Sequence, residues 1–138
     1  MNLSIRVFEP IVKTQPWGTE TIVAQTSRYL GKVLRYRAGK AGGLQYHRRK
    51  DETFFLFEGT GWLDYDSGDG TFTRKRMEPG MSVDIPAGAV HRFEAETDCL
   101  GFEASTPVYD DRVRCEEAYG VPVIGDQYGL ETTGAMAT

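Results

Sequence analysis

At 138 residues the chain fits a single domain, large enough to bury about two-thirds of the surface that its unfolded form exposes. Sixteen Lys and Arg against twenty Asp and Glu give a net charge of −4, which excludes a dominant electrostatic attraction to nucleic acid or to an anionic membrane and directs attention to a small-molecule partner. There is no apolar run of about 18 residues, the stretch Met1-Asn2-Leu3-Ser4-Ile5-Arg6 lacks the continuous apolar core of a secretory signal, and Cys99 and Cys115 make no disulfide framework, so a cytoplasmic protein with reduced, unreactive thiols is expected.

Sixteen glycines and six prolines punctuate the chain at short intervals, and the segments between them are rich in Val, Ile, Phe, Tyr and Thr. This cadence predicts an all-β sandwich or barrel. In chain order, strands are expected over Ile5 to Phe8, Thr19 to Ala24, Leu30 to Arg37, Leu44 to Arg48 and Glu52 to Phe57. They continue over Gly61 to Tyr65, Thr71 to Met77, Ser82 to Ile85, His91 to Ala95 and Leu100 to Ser105. Ser67-Gly68-Asp69-Gly70 reads as a hairpin turn, because glycine tolerates the positive φ that such loops require. Asp110 to Tyr119 is the one segment predicted to be helical, with Asp110 and Asp111 favourably placed near an N-terminus. The domain is set at residues 1–130, with 131–138 a small, polar tail expected to be disordered.

The chain contains two histidines, His47 and His91, and each lies in a patterned stretch. Side chains alternate along a strand, so Gln45 and His47 project the same way. If Arg48-Arg49-Lys50-Asp51 forms a hairpin loop, Glu52 lands on the neighbouring strand opposite His47, at about 4.5–5.5 Å between Cβ atoms. The turn at Pro86-Ala87-Gly88 brings His91 back over the same interior. Two imidazoles, a carboxylate and an amide oxygen make a mixed nitrogen and oxygen set suited to a divalent transition metal, Zn, Mn, Fe or Ni, without choosing among them. Gln45 could equally hydrogen-bond substrate. Arg49 lies two residues beyond His47 and points inward if the strand persists, where it would hold an anionic substrate beside the metal or bind an anion in a pocket without metal. Lys50 and Tyr46 join it as substrate contacts, and Glu103 is a candidate general base if its strand turns it inward, which parity leaves open. The unbroken apolarity of Thr53-Phe54-Phe55-Leu56-Phe57 implies burial on both faces, so a second sheet or another subunit must cover the outer one, and a homodimer is expected.

At these residues the sequence resembles the cupin superfamily. Gly80, Pro86, Gly88 and His91 stand at the spacings of its second motif, and His47, Glu52 and Gly59 at those of its first. The chain departs from the motifs where the opening glycine is displaced to Gly42, where Arg49 replaces a histidine, and where Ala95 replaces a closing asparagine. Gln45-Tyr46-His47 followed by Glu52 is similar to the phosphomannose isomerase-like branch, and the resemblance extends over roughly residues 10–120. It implies a cupin-type antiparallel double-stranded β-helix, a jelly-roll barrel with a short C-terminal helix, and Gln45, His47, Glu52 and His91 as the metal ligands. For function it suggests a metal-dependent isomerase or epimerase acting on a sugar phosphate or related carbohydrate derivative, and the reading of the residues adds Glu103 and Arg49 in catalytic roles. Two alternatives stand beside it: a non-haem iron dioxygenase, since two histidines and a carboxylate also compose that triad, and a non-catalytic cupin that binds a sugar or small acid.

Overall fold

The computed structural model describes residues 3–109 and 111–122. Short β-branched and aromatic segments interrupted by glycine turns form eleven strands and one turn of helix. The strands are β1 (Ile11–Gln15), β2 (Gly18–Gln25), β3 (Leu30–Tyr36), β4 (Gln45–His47), β5 (Glu52–Glu58), β6 (Gly61–Asp66), β7 (Phe72–Met77), β8 (Ser82–Ile85), β9 (His91–Ala95), β10 (Cys99–Ser105) and β11 (Arg112–Arg114), followed by α1 (Glu116–Tyr119). They build a six-stranded sheet in the order β1-β2-β3-β10-β5-β8 and a five-stranded sheet in the order β11-β4-β9-β6-β7. Every pairing is antiparallel. The two sheets close face to face as a jelly-roll barrel, as the sequence predicts.

Leu34, Phe54, Leu56, Leu63, Met77, Phe93, Ala95 and Cys99 fill one end of the space between the sheets. Leu56 is completely buried, which stabilises the fold by about 1.5–3 kcal/mol relative to an exposed side chain. A smaller cluster of Leu44, Val90 and Cys115 sits beneath α1. Gly59 enters the β5–β6 turn at φ 88°, and a Cβ there would lie 2.2 Å from the Asp98 carbonyl oxygen, so the turn admits only glycine. The predicted Ser67–Gly70 turn joins β6 to β7, with Asp66 opposite Phe72. Burial pushes the thiols of Cys99 and Cys115 up to about 11, which keeps both unreactive near neutral pH.

Two local expectations are corrected. Residues 5–8 form no strand: they pair with no other strand, and Ile5 and Val7 are 96% and 94% exposed. The first strand is instead Ile11–Gln15, which has β2 to pair with. Asp110 to Tyr119 is not one helix. Arg112, Val113 and Arg114 add to the free edge of β4, opposite His47, Tyr46 and Gln45, and only Glu116–Tyr119 remains helical. Sheet pairing overrides the weak helical pattern there. Asp110 and the tail from residue 123 onward, including 131–138, lie outside the described residues. Among the described residues no helix is long and apolar enough to cross a membrane.

Candidate metal centre

The two patterned stretches are laced together by backbone hydrogen bonds. The Gly88 N–H donates to the His47 carbonyl at 2.7 Å, and the Ala87 N–H donates to the Asp51 carboxylate at 2.9 Å. Gly88 makes the turn at φ 89°, which a side chain would resist. Gln45 pairs in register with His91, so Gln45, His47 and His91 share the inner face of the five-stranded sheet.

Glu52 reaches them by a different route from the expected hairpin. β4 and β5 belong to different sheets, and Arg48–Asp51 crosses from one to the other. The apolar β5 takes a place with neighbours on both sides, β10 and β8, which β4 could not supply. Glu52 therefore faces His47 across the barrel interior.

His47 Nε2 lies 3.2 Å from Glu52 Oε2. One ligand atom from each of His47, Glu52 and His91 falls within 4.8 Å of the others. Each imidazole is anchored by its other nitrogen: His47 Nδ1 is 3.0 Å from Asp111 Oδ1, and His91 Nδ1 is 2.9 Å from the Ala89 carbonyl oxygen. These acceptors place the ring proton on Nδ1 and turn the Nε2 lone pairs inward. Gln45 Oε1 and Glu52 Oε2 are buried without a hydrogen-bond partner, so the His47–Glu52 approach is close in distance but not aligned as a hydrogen bond. Both side chains line the same cavity. Two imidazole nitrogens, a carboxylate and an unsatisfied amide oxygen fit a divalent transition ion.

The electrostatics keep these donors in ligand form. Burial lowers the His91 pKa, leaving the ring neutral at pH 7. Burial alone would raise Glu52, but the His47 ring, Lys50 and His91 outweigh it and hold the carboxyl at about 2.

The crossing from β4 to β5 contributes one cation to the lining of the cavity, which measures about 150 Å³, and it is Lys50. β4 ends at His47, the chain bends, and Arg49 turns out to solvent and does not line the cavity. The expectation of an inward Arg49 is thereby corrected. Tyr46 is corrected as well: it alternates away from Gln45 and His47 and packs on the Leu44–Val90–Cys115 cluster. Lys50 is 6% exposed, with Nζ 2.9 Å from Glu103 Oε2 and 3.6 Å from Glu52 Oε2. Burial would lower its pKa, but Glu103 and Glu52 reverse the effect and raise it, so the ammonium stays charged. Register settles the parity of Glu103, which lies opposite Lys32 and Phe54 on the inner face. Lys32 in turn pairs with Glu20 at 3.2 Å. Tyr36 completes the wall, its ring stacked on Trp17 at 4.1 Å, and burial followed by the charges of Glu103 and Glu52 raises its hydroxyl pKa, so it remains a donor.

Sequence reasoning missed Asp111. Its Oδ2 accepts the backbone N–H of Arg49 at 2.7 Å and of Lys50 at 2.9 Å, while Oδ1 meets His47. Burial would raise its pKa, but these donors lower it. No local signal marks the role, since Asp111 is 64 residues from His47 and reads there as a helix-start residue.

A two-sheet barrel with a histidine, histidine and glutamate cluster inside it places the chain among the jelly-roll barrels, with a candidate metal site. The chain belongs to the cupin domain family, whose model matches residues 32–100. It is 26% identical over 111 residues to a mannose-1-phosphate guanylyltransferase of Klebsiella pneumoniae, covering 77% of this chain and 22% of that protein. It is 33% identical over 54 residues to an acireductone dioxygenase of Bacillus thuringiensis, covering 39% of this chain and 32% of the relative. The fold is also that of the capsular polysaccharide assembling protein CapF of Staphylococcus aureus, at TM-score 0.68 and 22% identity over 77% of this chain and 31% of that one. The chain thus spans less than a third of the length of each.

Asp111→Asn keeps the size of the side chain but weakens its hold on the His47 ring and the Arg49–Lys50 backbone. It is expected to lower the affinity for added divalent metal about 10–100-fold, read by competition with a chromogenic chelator.

Proposed function

We propose that the protein is a metal-dependent isomerase or epimerase acting on a small carbohydrate derivative inside the barrel. The observation that carries this reading is the buried Lys50–Glu103 pair, 2.9 Å apart, set beside the His47, Glu52, His91 and Gln45 donors. A divalent metal held by those four side chains would polarise the carbonyl and neighbouring hydroxyl of a substrate. Glu103 is the base that removes the proton from the adjacent carbon, and the Lys50 ammonium stabilises the negative charge that develops and steadies Glu103. Tyr36 donates a hydrogen bond to a substrate oxygen, and the Trp17–Tyr36 stack offers an apolar wall to a sugar face.

Both cavity lysines are already paired with carboxylates, Lys32 with Glu20 and Lys50 with Glu103. That pairing suits the two lysines to hydroxyl and carbonyl groups, while Arg92 and Arg112, which also line the cavity, keep a phosphorylated carbohydrate within the reading. The likeness to a mannose-1-phosphate guanylyltransferase and to a capsular polysaccharide protein supports a carbohydrate ligand. A second reading, an iron-dependent dioxygenase, draws on the two-histidine and one-carboxylate cluster and on the 54-residue match to acireductone dioxygenase. The free, buried cysteines support a reducing, cytoplasmic setting.

We also propose that the chain forms a homodimer. The outer face of the six-stranded sheet leaves Phe57 58% and Phe102 39% exposed, and the extended arm before β1 exposes Leu3, Ile5 and Val7 at 85%, 96% and 94%. One subunit thus offers both an uncovered apolar face and an unpacked apolar arm, and a two-fold pairing of copies would bury both. Sedimentation analysis should give a dimer for the wild type and a monomer for Phe57→Asp/Phe102→Asp, whereas a monomeric wild type at micromolar concentration contradicts the proposal.

Incubation with aldoses and ketoses in deuterated water, each with and without phosphate, should incorporate deuterium at the carbon next to the carbonyl of at least one substrate. Glu103→Gln should lower that rate by about 100-fold or more. Oxygen uptake with Fe²⁺ and no deuterium incorporation would replace the isomerase reading with the dioxygenase one.

A further inference from the structure

A second cavity lies on the far side of His91. The five-stranded sheet ends at β7 and the six-stranded sheet at β8, and the two free edges leave a seam in the barrel. Behind it opens a space of about 300 Å³, twice the volume of the metal-side cavity and at the small end of the ~300–1,000 Å³ range of small-molecule pockets. Its walls are apolar: Leu63 from β6, Met77 from β7, Val83 from β8, with Met81 and Val90. Two methionines give these walls the capacity to adapt to an occupant. Leu63, Ile85 and His91 line both cavities and form the partition between them, whereas His47 lines the metal-side cavity alone.

The charges at the rim are not equivalent. Asp84 accepts the Thr53 hydroxyl at 2.7 Å, and Asp66 accepts the Tyr119 hydroxyl at 2.7 Å together with the N–H groups of Gly68 and Gly70. Lys75 makes no ion pair or hydrogen bond among the described residues. In register it stands opposite the buried Leu63, so it occupies the inner face of β7, yet it is exposed because the seam is open there. An unengaged ammonium over an apolar cavity complements a molecule with an apolar body and one negative end. The dedicated arrangement contrasts with the metal-side cavity, where both lysines are paired.

We infer that this seam cavity binds a small hydrophobic monocarboxylate, its body between the sheets and its carboxylate at Lys75. The site is independent of whether metal binds on the other side of the partition. Its occupant would touch the same His91 ring that faces the metal donors.

The test uses the full chain with one added equivalent of Zn²⁺ and three probes: 3-phenylpropionate, the neutral 3-phenylpropanamide and acetate. Calorimetric titration should show saturable binding of phenylpropionate, binding of the amide weaker by about tenfold, and none of acetate. Lys75→Glu, a change at an exposed position, should weaken phenylpropionate by about tenfold and leave the amide unaltered. Val83→Phe, which fills the space, should remove binding of both. With only two histidines in the chain, the imidazole resonances are assigned by one substitution each, and phenylpropionate should shift those of His91 while those of His47 stay in place. No saturable binding, equal affinity for acid and amide, or indifference to Lys75→Glu would each overturn the inference. A shift at His47 matching that at His91 would place the ligand in the metal-side cavity and overturn it as well.

Discussion

The carboxylate of Asp111 is the constraint on which the site depends. One oxygen fixes the His47 ring through Nδ1, and the other binds the successive N–H groups of Arg49 and Lys50. Hydrogen bonds to a charged acceptor contribute about 1.5–3 kcal/mol each, enough to set the path of a short crossing between two sheets. The path decides the chemistry. With the backbone pinned at residues 49 and 50, Arg49 is turned to solvent and Lys50 into the barrel, where it meets Glu103 and Glu52. The same carboxylate therefore orients the His47 ring and selects which cation of the crossing enters the cavity.

Around that anchor the interior is an ordered array of opposite charges. Glu20, Lys32, Glu103, Lys50 and Glu52 all line the cavity, and each lysine has a carboxylate within 3.2 Å. Buried charges persist only when paired, because desolvation would otherwise outweigh their attraction. The pairing compensates each lysine beside the His47, Glu52 and His91 cluster. The seam cavity beyond His91 has the reverse character, apolar walls under one unpaired ammonium. A partition of Leu63, Ile85 and His91 thus separates two environments. The barrel itself is shared with proteins of quite different chemistry, so the argument for activity rests on these side chains and not on the fold.

Much of this was legible in the sequence. The glycine and proline punctuation predicted most strands to within a residue or two, because β-branched runs between turns leave few alternatives. The spacing around His47, Glu52 and His91 brought the right side chains together even though the route was wrong: Glu52 arrives across the sandwich and not from a hairpin. That error has a physical cause, since alternation along a strand says which face a residue takes but not which sheet its strand joins. Arg49 failed for a related reason, because parity holds only while the strand continues and β4 stops at His47. Ile5 to Phe8 has the composition of a strand but pairs with no strand of its own subunit. Arg112 to Arg114 has the opposite history, a helix-like segment captured by the edge of β4. Asp111 could not be read at all, because its role exists only once residues far apart in sequence are brought together.

The central claim is that His47, Glu52, His91 and Gln45 hold a divalent metal, and elemental analysis of the purified protein tests it most directly. The account predicts about one equivalent of a single transition metal per chain, lost together in a His47→Ala/His91→Ala variant that retains the β-sheet circular dichroism of the wild type. A wild-type protein that carries less than about a tenth of an equivalent, even after reloading with Zn²⁺, Mn²⁺, Fe²⁺ and Ni²⁺ in turn, would contradict it.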